Sequence, residues 1–204
     1  MEIENKPARG RPRAFDRARA LDQALTLFWR NGYEGTSLAD LTAALGITPP
    51  SLYAAFGSKD ALYREALDLY LATRSARVKQ ALEGAGPARA ALEAALRLAA
   101  DIFAGADGPR GCPVASGVLR CGPDHHGLAE HTARLRRMMS DTIALRLERA
   151  RADGELAAGT DTAALAAFYA SVIQGMSVQA IDGSSPAALG DIVGFAMAAW
   201  PSPQ

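Results

Sequence analysis

Two cysteines, Cys112 and Cys121, and three histidines, His125, His126 and His131, carry most of the nucleophilic and metal-ligating potential of this 204-residue chain. Cys121, His125, His126 and His131 crowd around Gly122-Pro123-Asp124. Thiolate and imidazole bind zinc and copper, which is the chemistry of a metal sensor. Their spacing matches no zinc-finger pattern, however, and Gly127 marks a loop tip, so they are read as solvated loop residues and no metal is expected. Cys112, His125 and Asp124 have the residue types of nucleophile, base and orienting acid, but nothing in the sequence supplies an oxyanion site. Nor is there a glycine-rich phosphate loop, a pair of catalytic carboxylates or a serine nucleophile elbow. No enzyme and no cofactor are expected.

Cys112 stands in Gly111-Cys112-Pro113-Val114-Ala115-Ser116, with Arg110 just before it. Proline suits a first helical turn, which puts the thiol at a helix N-terminus, where free N–H groups favour thiolate. Two readings stay open. The preferred one is an inert residue in a pocket wall; the other is a redox switch with Cys121 as resolving thiol. A helix over 113–120 would span roughly 12 Å at ~1.5 Å per residue. That exceeds the ~4.4–6.8 Å Cα separation of a disulfide, so oxidation would stop at sulfenic acid or an adduct.

What remains is recognition of charge and shape. Lysine plus arginine equal aspartate plus glutamate, so net charge is zero. Residues 6–19 nevertheless hold Lys6, Arg9, Arg11, Arg13, Arg17 and Arg19 against Asp16 alone. A neutral chain with a basic head fits a protein that touches DNA at one end. Residues 1–14 read as a flexible arm. Arg9-Gly10-Arg11-Pro12, followed by Arg13, resembles the core of an AT-hook: glycine lets the backbone sink into a narrow A·T-rich minor groove whose negative potential attracts arginine. A solvated tail is the alternative.

The stretch Thr36 to Lys59, TSLADLTAALGITPPSLYAAFGSK, has the helix-turn-helix pattern. Ser37 caps a helix with Asp40 completing a capping box, Leu38, Leu41 and Leu45 recur at helical spacing, and Gly46 ends it. Thr48 caps a second helix whose first position is Pro49, Leu52 and Phe56 turn inward, Gly57 stops it, and Ser58 caps the next. Two short capped helices joined by a glycine turn match a major-groove reader. An ordinary helical hairpin is the bland alternative.

Gly32-Tyr33, Thr36-Ser37, Ser51-Leu52-Tyr53 to Phe56 and Ser58-Lys59 together resemble the DNA-binding domain of the TetR family of bacterial transcriptional regulators, from about Phe15 to Leu69. The resemblance implies that Thr36 or Ser37, Tyr53 and Lys59 touch phosphates, and that Thr48, Pro49, Pro50, Ser51 and Ala54 reach base edges. The Pro49-Pro50 pair departs from a donor-rich reader. Apolar contact with thymine methyls and the arginine arm must then carry a larger share of specificity. Tyr53 as a core residue stays open.

Nearly half the residues are apolar and alanine is abundant, which favours a globular helical chain. The expected fold is all-α: arm 1–14, helix-turn-helix domain 15–60, and a larger effector-binding and dimerisation domain 61–204. Helices are predicted from Asp16 to Gly32, Asp60 to Glu83, Ala88 to Ala104, Leu128 to Asp153 and Asp161 to Ile181, and, after a turn from Asp182 to Pro186, a last helix runs to Trp200. Gly84 to Pro87 is a break. Arg134, Arg136, Arg137, Arg146, Arg149 and Arg151 read as a solvated, ion-paired face. An apolar effector pocket is expected from Phe103, Cys112, Leu119, Met138, Met139, Phe168, Tyr169 and Ile173, with Gln174 as a polar anchor. The small residues of the last two helices, Ala163, Ala166, Ala167, Ala170, Ser171 and Gly175 with Ala187, Ala196 and Ala199, permit close packing. The family resemblance implies that this pair makes a homodimer. Too few cysteines for a disulfide framework, no secretory signal and no apolar run long enough to span a membrane point to the cytoplasm. The function expected is a repressor released from a palindromic operator by a small apolar effector. A thiol-redox or metal-responsive regulator on the same scaffold, and less so a small helical enzyme, are the alternatives.

Overall fold

The computed structural model describes residues 15–106, 108–119, 122 and 125–201. The arm with Arg9, Arg11 and Arg13, and also Cys121, Pro123 and Asp124, lie outside them. Among the described residues the regular structure is helical, with no strand: α1 (Arg17–Asn31), α2 (Leu38–Leu45), α3 (Pro49–Phe56), α4 (Lys59–Tyr70), a π turn (Leu71–Ser75), α5 (Ala76–Glu83), α6 (Ala88–Phe103), α7 (Pro113–Ser116), α8 (His126–Ala152), α9 (Thr162–Ile181) and α10 (Pro186–Ala198).

The helix ends follow from local side-chain chemistry. Asp16, Ser37, Thr48, Ser58, Asp161 and Ser185 each accept a bond from a first-turn N–H. The Ser37–Asp40 capping box is complete, with the Ser37 N–H donating to Asp40 at 2.9 Å and the Asp40 N–H to Ser37 Oγ at 3.1 Å. Gly46 ends α2 in the left-handed conformation (φ 65°) that glycine adopts without steric penalty.

Helices α1 to α4 form the head. Phe28, Tyr33 and Tyr63 meet as an aromatic cluster, with ring centroids 5.0 Å apart for Phe28 and Tyr63 and 5.2 Å for Tyr33 and Tyr63. Leu25, Leu41, Leu52 and Leu62 close the core beneath α2 and α3. The remaining helices form a bundle in which α6 lies against α5, α9 and α10, and α8 against α9.

Three predicted elements differ. The rod expected from Asp60 to Glu83 is interrupted by the π turn, a one-residue expansion of the helix. The helix expected over 113–120 ends at Ser116, so the spacing argument against a Cys112–Cys121 disulfide loses its footing. Helix α9 is, by length and composition, apolar enough to cross a membrane, contrary to the sequence reading. Its inner side, including Tyr169, Met176 and Ala180, is packed within the bundle. Phe168, Val178 and Ile181 are left exposed on it, as is Phe195 on α10, at 82%.

The arginine face of α8 is only partly solvated. Arg149 and Arg151 do pair, with Asp153 and Glu148. Arg136 and Arg146 instead turn back to carbonyls, Val114 O at 3.0 Å and Gly86 O at 2.6 Å, and fasten α8 to neighbouring segments.

Candidate nucleic-acid interface and ligand cavity

Helix α3 presents Thr48, Pro49, Pro50, Ser51, Tyr53 and Ala54 to solvent, while Leu52 and Phe56 anchor it. Tyr53 is 45% exposed, which removes the core reading of that residue. The Thr48 and Ser51 hydroxyls lie 3.0 Å apart, and Thr48 Oγ1 caps the Ser51 N–H. Because proline has no N–H, Pro49 and Pro50 leave the first turn of α3 without its first two backbone donors. This helix can therefore offer a groove two hydroxyls, two proline rings and the Ala54 methyl.

Phosphate-type donors flank it. Ser37 is exposed at the start of α2, where the helix dipole and free N–H groups favour an anion. Asp40 sits there too, its carboxyl held below the usual range by hydrogen bonds from the Ser37 side chain and backbone. Thr36 departs from expectation: it is fully buried, and its hydroxyl donates to Gly32 O at 2.7 Å, which makes it a fastener of the turn rather than a surface donor. Lys59 is half-buried with Nζ 4.1 Å from the centroid of the Tyr33 ring. Partial burial pulls its pKa down, against the attraction of Glu34, Asp60 and Asp40. Arg17 is held by Glu65 at 2.7 Å, by Ala55 O at 3.2 Å and over the Phe56 ring.

A joint connects the head to the bundle. Tyr33 donates to Asp60 and lies 3.3 Å from His125 Nδ1. Arg64 donates to Gly127 O at 2.9 Å. The buried Trp29 Nε1 donates to Gly111 O at 3.1 Å. Gly111 is thus tied to the head, while the Cys112 N–H donates to Ser177 Oγ of α9 at 2.8 Å.

Behind Cys112 lies a small cavity with room of about 60 Å³ for the centres of water-sized molecules. Of the residues predicted for a pocket, it brings together Phe103, Cys112, Met139, Ile173 and Gln174. The others are elsewhere. Leu119 is 62% exposed on the loop after α7, Met138 faces an outer groove beside the π turn, and Phe168 points to solvent. Tyr169 is buried against α10, donating to Ala196 O. Helical facing cannot separate a residue turned to a cavity from one turned to a neighbouring helix. Sequence reasoning missed Tyr70, Leu71 and Ser75, which lie at and beside the π turn, and Arg136, whose charge argued for solvent.

The thiol of Cys112 lies near the Tyr70 hydroxyl, the backbone of Val114 and Ala115, and Arg136, though it makes no hydrogen bond that caps α7. Each lowers its pKa. Burial outweighs them, so the thiol is pushed up rather than down. Tyr70 and Tyr63 are likewise raised by burial first. Among the described residues no cluster of histidine, cysteine and carboxylates could hold a metal.

Residues 20–66 match the model of the bacterial regulatory proteins of the tetR family, and residues 86–190 match that of the tetracyclin repressor-like C-terminal domain. The HTH-type transcriptional repressor ComR of Escherichia coli (strain K12) is 37% identical over 197 residues, spanning 96% of this chain and 94% of ComR. The uncharacterized HTH-type transcriptional regulator YezE of Bacillus subtilis (strain 168) is 32% identical over 160 residues, 78% of this chain and 82% of YezE. A cysteine mutant of the TetR family transcriptional regulator CifR, solved with 26-base-pair double-strand operator DNA, is 44% identical, covers 94% of this chain and all of that one, and superposes with a TM-score of 0.90. An exposed, capped helix in front and a helical bundle behind agree with these matches: the chain belongs to the TetR family and is a DNA-binding transcriptional regulator.

Proposed function

We propose that the protein is a cytoplasmic homodimeric repressor that leaves a pseudo-palindromic operator when a small, mainly apolar effector fills the cavity behind Cys112. The observation that carries this reading is the chain of contacts from α3 through α1 and Trp29 to Gly111, next to a cavity whose wall includes the π turn at the end of α4. In the functional division residues 15–60 read DNA and residues 61–204 bind effector and partner. Thr48, Pro49, Pro50, Ser51 and Ala54 meet base edges; Ser37, Tyr53 and Lys59 meet phosphates; Arg9, Arg11 and Arg13 follow the minor groove. The exposed small residues of α9 and α10, with Phe195, supply the face for a second copy. Regulation rather than catalysis is its activity, and it needs no cofactor.

The mechanism is linkage. An effector that favours a head spacing unable to span two half-sites weakens operator binding by the same factor that operator weakens effector binding. The thiol-redox alternative is disfavoured because burial makes Cys112 a poor thiolate.

The test is binding to DNA flanking the protein's own gene, followed by fluorescence anisotropy, with sizing and crosslinking of the complex. A dimer on an inverted repeat with half-sites about one helical turn, roughly 35 Å, apart is expected. Monomer on a non-repeated site, or operator affinity indifferent to every apolar compound that binds the cavity, would overturn it.

A further inference from the structure

Among the described residues lining the cavity, Arg136 is the one cation and none is acidic. Its Nη1 donates to Val114 O, but no ion pair neutralises it among the described residues. Partial burial, the larger effect, and the neighbouring Arg137 both pull its pKa down. A second opening, between α8 and α9, shares Arg136 and Gln174 with the cavity and adds Arg137, Ser140 and Ser171, again with no acid. The rest of the wall is apolar, from Leu71 and Val78 to Phe103, Leu135 and Ile173. A guanidinium partly withdrawn from water, with no carboxylate beside it on an apolar wall, is a favourable partner for an anion. The neighbouring Cys112 does not serve as that anion, since burial keeps its thiol protonated.

We infer that the cavity selects an apolar monocarboxylate, whose carboxylate pairs with Arg136 beside Gln174 and whose hydrocarbon body lies against Phe103, Leu135 and Ile173. This rests on the effector reading above and narrows it. Arginine suits the role because its planar fork can keep one N–H on Val114 O and turn the others to the ligand. Ser75 of the π turn and Tyr70 stand on the same wall, so the pairing sits where the head-bearing helix meets the bundle.

The experiment is titration calorimetry and thermal shift on the full chain with matched probes: hexanoate against hexanamide, and benzoate against benzamide. The carboxylate of each pair should bind at least about ten-fold more tightly, the scale of a charge-assisted hydrogen bond over a neutral one. Arg136→Met should remove that preference while leaving amide binding within about two-fold, which shows the cavity intact; Arg136→Lys should keep part of it. Amides binding as well as or better than carboxylates, or a preference that survives in Arg136→Met, would overturn the inference and leave the apolar-effector reading standing. Carboxylates that bind through Arg136 yet leave operator affinity unchanged would support the inference and sink the switch. No binding by either class would overturn both.

Discussion

Substituting Gly111 by alanine should destabilise the protein strongly, although the change adds one methyl group. Gly111 has φ +79°, where an L-residue with a Cβ pays about 1–2 kcal/mol. A Cβ there would lie 2.6 Å from Ile181 Cγ1, 2.8 Å from Ile181 Cδ1 and 3.1 Å from Ser177 O. Ile181 is half-exposed and can turn its side chain aside, whereas Ser177 O is helix backbone and cannot, and overpacking of this kind costs about 1–3 kcal/mol. The lower entropy of the unfolded chain offsets about 0.4–1 kcal/mol. The net loss is therefore about 1–4.5 kcal/mol, roughly 2–18 °C in midpoint for a chain of this length. Urea and thermal unfolding at fixed protein concentration measure it. The double variant Gly111→Ala, Ile181→Ala should recover the Ile181 share of the steric part and keep the backbone part, roughly 1 kcal/mol. Because Gly111 O holds Trp29 and the adjoining Cys112 N–H holds Ser177, operator affinity of the single variant should fall as well. A stability loss under about 0.5 kcal/mol, beneath what these strains require, or no recovery in the double variant, would show that the segment is not clamped as described.

Ser37→Ala should cost about 1 kcal/mol through loss of the α2 cap, whereas Tyr53→Phe at an exposed site should leave stability unchanged and weaken DNA binding similarly on every sequence; paired unfolding and anisotropy measurements separate the two. Changing Arg9 and Arg11 to alanine should weaken binding, reduce preference for A·T flanks and flatten the salt slope by about one per lost phosphate contact; an unaltered slope would reduce the arm to a tail. Cys112, Tyr63 and Tyr70 all have pKa values raised by burial, so the folded state holds protons that the unfolded state releases. Their contribution is intact below the ordinary thiol value near 9.0 and is lost as pH rises through and beyond it. Unfolding followed against pH should show stability falling in that alkaline window, less steeply in Cys112→Ser. Operator binding by Cys112→Ser with and without peroxide tests the thiol: release of the wild type alone would make it the sensor.

The reading head was legible because its signals are local. Ser37 with Asp40, Thr48 before Pro49, Gly46 and Gly57 each act within four residues, so their order along the chain carries the caps and the turn. Long amphipathic helices were legible for the same reason. What the tertiary structure decided depends on partners distant in sequence. Thr36 is a donor by type, but Gly32 and the turn bury it. Leu119, Met138, Phe168 and Tyr169 have the apolar chemistry of a pocket wall, yet only packing determines which neighbour each one faces. The π turn adds a residue to the helix with no proline or glycine to announce it, and Leu71 and Ser75 at its two ends line the cavity. Arg136 reads as solvated by charge alone, and only the approach of Val114 from a segment 22 residues earlier gives it a place inside. The balance at Cys112 is the same lesson in electrostatics. The sequence places a thiol before a helical turn, whose N–H groups pull its pKa down, but desolvation by the surrounding fold pushes it up further.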